Sequence, residues 1–106
     1  MSRTALFLID IQHSLACAPS TRIPHATRII DAGTRMLHHA RNITSRSIER
    51  GEQPTLDIVV VQHSEPPSKG ALQPGSKAWQ LVFAPQGRDW TAGTGNECLV
   101  SKHVRA

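Results

Sequence analysis

The side chains of this 106-residue chain that invite a chemical reading stand at the ends of its apolar runs. Asp10 follows ALFLI (5–9). If that run is a strand of an open α/β sheet, Asp10 lies at its carboxyl end, where such sheets place their ligands. A carboxylate there is costly to desolvate unless it is paired or poised as a base. The plainer reading is an Asp that caps the next turn. Lys102 ends the last apolar run in the same way. With the two strands parallel, both side chains project from one sheet edge, and an ammonium there pairs with the carboxylate or lowers the pKa of a group between them. A solvated strand-end lysine is the plainer reading. His63 directly follows a third run and is placed to touch a substrate. The other histidines, His13, His25, His38, His39 and His103, form with it no HxH or HExxH pattern, so no metal is expected. Of the two cysteines, Cys98 lies inside the last run on one face with Val100 and Lys102 and reads as a buried filler. Cys17, in a loop with Pro19, has nothing near it in sequence to activate it. Neither is read as a nucleophile. No GxGxxG follows the first run, no GxxxxGK[ST] is present, and GTG (93–95) alone is a weak signal, so no nucleotide cofactor is expected.

Three β-prone segments must position these residues: TALFLIDIQ (4–12), LDIVVVQHS (56–64) and ECLVSKHV (97–104). The apolar runs 5–9 and 58–61 are continuous rather than alternating, as in strands of a parallel sheet covered on both faces. Between the first two segments, Ala26, Ile29, Ile30, Gly33, Met36, Leu37, Ala40 and Ile43 follow the i, i+3, i+4, i+7 spacing of an amphipathic helix over 22–50. Pro24 suits its first turn and Gly51 its stop. Strand, helix and strand in this order make a right-handed βαβ unit. Residues 64–96 carry many prolines and glycines around a short apolar patch, AWQLVF (78–83). So long a stretch without regular structure is the signature of a lid or binding element, or of disorder.

Composition narrows the function classes. The net charge is +4, and seven arginines against Asp10, Asp31 and Glu49 in residues 1–50 account for it. The basic helix face is read as solvated, with phosphate or an acidic partner as the alternative. Aromatics are only 4% of the residues, which argues against a base-stacking platform for nucleic acid. No apolar run approaches the ~20 residues of a membrane span, and Asp10 cuts short any signal-peptide core. Two cysteines make no disulfide framework, so a cytoplasmic location is expected.

Taken in order, TALFLIDIQHSL, the long helix, DIVVVQHSEPP and ECLVSKHVRA resemble the isochorismatase-like cysteine hydrolases, a family that includes nicotinamidases and other small-amide hydrolases. LIDIQ with Asp10 and VSKHVRA with Lys102 carry the resemblance, which covers essentially the whole chain. It implies a three-layer α/β fold and an Asp–Lys–Cys triad for hydrolysis of C–N bonds. Asp10 would match the general base and Lys102 the residue that holds and polarises the pair. Metal-binding members carry Asp and His ligands where this chain reads QHSEPP, so no metal is carried over. The family's nucleophilic Cys lies beyond the position matching Lys102, and Cys98 precedes it.

The expectation is therefore a partial three-layer Rossmann-like fold, its parallel strands in the order 3-2-1 with one long crossover helix. Residues 1–106 would be an incomplete hydrolase domain that is inactive alone. Its partners would be a small amide-like substrate and a second chain paired through strand 4–12, with no membrane and no nucleic acid. Two other readings stand beside it. One is a non-catalytic interaction module using an exposed sheet edge; the other is a basic phosphate- or nucleic-acid-binding domain using the 22–50 helix.

Overall fold

The computed structural model describes residues 2–86 and 96–103. Three strands, β1 (Thr4–Ile9), β2 (Leu56–Ser64) and β3 (Glu97–His103), form one sheet in the order β1-β2-β3. Both pairings are parallel: Ile9 stands opposite Val61, and His63 opposite Lys102. Two helices precede β2: α1 (His13–Ala16) is a single turn and α2 (Ala26–Glu49) is the long crossover. The 3-2-1 expectation holds, and the fold is α/β with a partial Rossmann-like sheet. No helix among the described residues is long and apolar enough to cross a membrane. The GTG triplet, Val104 and the rest of residues 87–95 of the long connection lie outside the described residues.

α2 starts four residues later than the spacing predicts and buries a narrower stripe. Its N-cap His25 is in the left-handed region at φ 63°, so Pro24 precedes the helix instead of occupying its first turn. Ala26, Gly33, Leu37, Ala40 and Thr44 are buried. Met36 and Ile43, expected inside, are 54% and 41% exposed. The buried positions step by four and three residues on one line of the helix, and Met36 and Ile43 fall roughly 70° and 90° to one side of it. One flat sheet face is covered by one line of side chains, so the flanks stay wet. At the other end Gly51, at φ 72°, donates its N–H to Ile48 and Glu52 donates to Ser47, two bonds that close the helix.

The core lies between α2 and the even-numbered positions of β1 and β2. Leu8, Leu37, Ala40, Ile58 and Val60 are buried together, with Leu6, Ile11, Leu56, Leu81, Phe83 and Leu99 packed around them. Gly33 is glycine because the Phe83 ring lies against it, within 2.7 Å of where a Cβ would stand. Arg41 is drawn out of the solvated basic face expected of this helix. Its guanidinium donates to both oxygens of buried Glu97 at 2.8 and 3.0 Å and to the Ala84 carbonyl, tying the helix to β3.

The second face of the sheet has no layer over it among the described residues. Phe7, Ile9 and Val100 are 55%, 53% and 46% exposed there. Among the described residues, the continuous apolar runs thus sit in strands covered on one face only.

Candidate functional site

β1 ends because Asp10 turns the chain. Its N–H still donates to Val61, completing the ladder with β2, but its φ of 59° breaks the extended run and its carbonyl accepts from the Gln12 N–H at 3.0 Å. Asp is among the few non-glycine residues that tolerate this region. Such a conformation costs ~1–3 kcal/mol and persists where surrounding structure over-determines it, often at functional sites.

Here the surroundings are the side chain of Gln12, which is fully buried. Its Nε2 donates to the carbonyls of His63 and Trp79 at 3.0 and 2.8 Å, and its Oε1 accepts from the His63 N–H at 2.9 Å. The amide thus continues by side chain the pairing with β2 that the backbone abandons at Asp10. Gln62 donates to the same Trp79 carbonyl, and the Trp79 indole donates to Ser64 Oγ at 2.9 Å. Val82 donates to Ile11, and Leu81 bridges Gln12 antiparallel. The apolar patch at 78–83 is therefore strapped across the carboxyl end of the sheet rather than loose. The sequence singles out Asp10 and passes over Gln12, because nothing local marks an amide whose partners lie 51 and 67 residues away.

Lys102, on β3, reaches across the central strand to Asp10. Its Nζ donates to Asp10 Oδ2 at 2.8 Å. The two residues are 92 apart in sequence and two strands apart in the sheet, a span of about 10 Å between backbones. The second carboxylate oxygen, Oδ1, is buried and has no hydrogen-bond partner among the described residues. Neither does Nδ1 of His63, which is also buried. His63 stands opposite Lys102 in the register, so both side chains leave the sheet on its uncovered face. His63 and Lys102 thus lie level on β2 and β3, and Asp10 lies one residue short of them just past the end of β1.

Neither cysteine joins them through a hydrogen bond. Cys98 is half-buried on the same face as Lys102, short of the fully buried filler expected, and four residues earlier puts it about 13 Å down the strand. Cys17, half-buried, caps α1 and donates its N–H to His13. The arrangement holds a paired carboxylate with one oxygen free to take a proton, beside an ammonium and an imidazole.

No protein-family model matches the sequence, and no curated protein matches it significantly. Among solved structures, the chain is similar to an isochorismatase-like hydrolase from Alkaliphilus metalliredigens, with a TM-score of 0.61 and 19% sequence identity. The match covers 95% of this chain and 50% of that one, so the chain spans about half the length of the hydrolase it resembles. The likeness extends to the fold.

Proposed function

We propose that the chain carries the acid–base half of an isochorismatase-like hydrolase site, acting on the C–N bond of a small amide. The observation that supports this most directly is the Asp10 carboxylate, with Oδ2 held by Lys102 at 2.8 Å and Oδ1 buried without a partner. Oδ1 takes the proton of a cysteine thiol, and the resulting thiolate attacks the amide carbon. The proton passes to the departing nitrogen, an amine leaves, and an acyl-thioester remains. Water adds to the thioester carbonyl, giving up its proton to Asp10, and the C–S bond breaks to release the carboxylic acid and regenerate the thiol. Lys102 keeps the carboxylate oriented throughout, and His63 Nδ1 supplies a hydrogen bond to the substrate.

The attacking thiol is not Cys17 or Cys98, so the 106 residues alone do not turn over amides. The test joins this chain to the half of the Alkaliphilus hydrolase that lies outside the match. We expect thiol-dependent hydrolysis of a small-amide panel by the joined protein and none by the chain alone. Asp10→Asn should remove ~10²–10⁴-fold of the rate, the usual contribution of a positioned base. Turnover that survives Asp10→Asn would overturn the assignment of the base. Turnover by the chain alone that Cys98→Ala abolishes would overturn the assignment of the nucleophile. The phosphate-binding reading is weakened by Arg41, which is used internally against Glu97.

A further inference from the structure

We propose that Gln12 is the positioning residue of this site, holding the left-handed turn that brings the Asp10 carboxylate onto the face of Lys102. The effect on turnover rests on the reading of Asp10 as the base; the contact with Lys102 does not. The parallel ladder shows why a hold is needed. Ile9 stands opposite Val61, so a regular β1 would set residue 11 opposite His63. In such a ladder the residue-10 carbonyl accepts the His63 N–H, and the residue-12 N–H donates to the His63 carbonyl. Here those two backbone groups bond to each other. The Gln12 N–H donates to the Asp10 carbonyl at 3.0 Å, across a turn whose Asp10 φ is 59°.

The turn decides which face the carboxylate reaches. Side chains alternate along a strand, and Leu6 and Leu8 pack toward α2. An extended residue 10 would join them there. Lys102 stands opposite His63 and leaves on the other face, with Val61 and Ile9. The left-handed turn ends the alternation at Asp10, and Oδ2 meets Lys102 Nζ at 2.8 Å. A left-handed residue other than glycine costs ~1–3 kcal/mol, so the turn needs support.

The Gln12 side chain supplies it by restoring to His63 both bonds that the turn removes. Oε1 accepts the His63 N–H at 2.9 Å and Nε2 donates to the His63 carbonyl at 3.0 Å, as a strand neighbour would. Nε2 also donates to the Trp79 carbonyl at 2.8 Å, and none of the residue is exposed. Without the amide, the His63 N–H and carbonyl are satisfied only if β1 runs on extended, which takes Asp10 to the α2 side. His63 itself stays on β2, paired with β3, so the displacement falls on the carboxylate.

Carbodiimide coupling of Asp10 to Lys102 in the 106-residue chain, read as the mass of the coupled peptide, reports the contact without any turnover. Gln12→Met keeps the volume and removes the amide, and Gln12→Asn keeps an amide one methylene too short. Each, confirmed folded by circular dichroism, should lose most of the coupled peptide, and either one decides the matter. Thr44→Val removes a buried hydroxyl that accepts from Asn96 at 3.1 Å near the start of β2, and should keep the coupled peptide. In the protein joined to the Alkaliphilus half, Gln12→Met should lower kcat ~10²-fold with KM little changed, the mark of a misplaced base. Coupling kept in full by the Gln12 variants would overturn the inference, whatever the activity. Equal loss in Thr44→Val would overturn it in favour of a general loosening of the fold. Turnover unmoved by Gln12→Met but lost in Asp10→Asn would strike Gln12 from the site and leave the base standing.

Discussion

Adjacent residues of β1 meet opposite fates on the two faces of the sheet. Leu8 is 5% exposed beneath α2, whereas its neighbours Phe7 and Ile9 are 55% and 53% exposed on the other side. All three are large and apolar, so hydrophobicity alone does not say which becomes core. The period of two along the strand sends them to different faces, and the amphipathic stripe of α2 can cover only one. The covered face supplies the packing energy. The uncovered one carries His63 and Lys102 at its carboxyl end and the unpaired β1 edge at its side.

The sharpest way to break this contrast is to truncate the covered face. Leu8→Ala should cost about 2–5 kcal/mol through lost burial and the cavity left between β1 and α2. Because small domains have little stability to lose, urea unfolding followed by circular dichroism should show the midpoint collapse or the cooperative transition disappear. A loss below that of an exposed residue would mean that α2 does not seat on β1 as described.

Gln12→Ala tests the closure of the sheet's carboxyl end. It strips partners from the His63 N–H and carbonyl, while the Trp79 carbonyl keeps its bond from Gln62. Leaving buried polar groups unsatisfied costs about 1–3 kcal/mol, read from the same unfolding curves. Amide hydrogen exchange at His63 should accelerate by more than the global loss of stability predicts. Unchanged relative protection would mean that the amide does not stand in for the ladder.

Lys102→Ala should separate stability from chemistry. Its pair with Asp10 has 47% of the lysine side chain and 28% of the Asp exposed, and ion pairs of that kind contribute ~0–1 kcal/mol. The unfolding midpoint should barely move, while hydrolysis by the joined protein should fall by ~10²-fold or more as the base loses its orientation. A large stability loss with intact turnover would make the pair a fold element instead of a site.

The smallest effect belongs to Phe7→Ala. It should change stability by no more than about 0.5 kcal/mol, since more than half of the side chain is already in solvent. The comparison with Leu8→Ala, one residue away, is the most direct measure of how unequal the two faces are.

Much of the architecture is legible in the sequence. The strands end within three residues of where their apolar runs predict, and Gly51 closes α2 as expected. Asp10 and Lys102 are brought together because two strand ends that share a parallel sheet must share an edge. The error in α2 was one of phase. Apolar spacing alone admitted Met36 and Ile43 to the core, and the breadth of the stripe is set by the surface it meets. Arg41 looked like one more solvated cation, yet its partner Glu97 lies 56 residues away.

Local patterning by itself determined the element types, their order and the parallel topology, because strand and helix periods are written in neighbouring residues and a long crossover forces parallel pairing. It also determined that a carboxylate and an ammonium would stand at the same sheet edge. Only the tertiary structure decided which face of that sheet is covered, that Asp10 is turned by a left-handed kink with one oxygen left free, and that Gln12 holds the turn. Those outcomes depend on packing of Leu37 against Leu8 and Ile58, and on hydrogen bonds from Gln12 to His63 and from Lys102 to Asp10, between residues far apart in sequence. Such partners are specified by the geometry of the assembled sheet, and no short window of sequence contains both members of these long-range contacts.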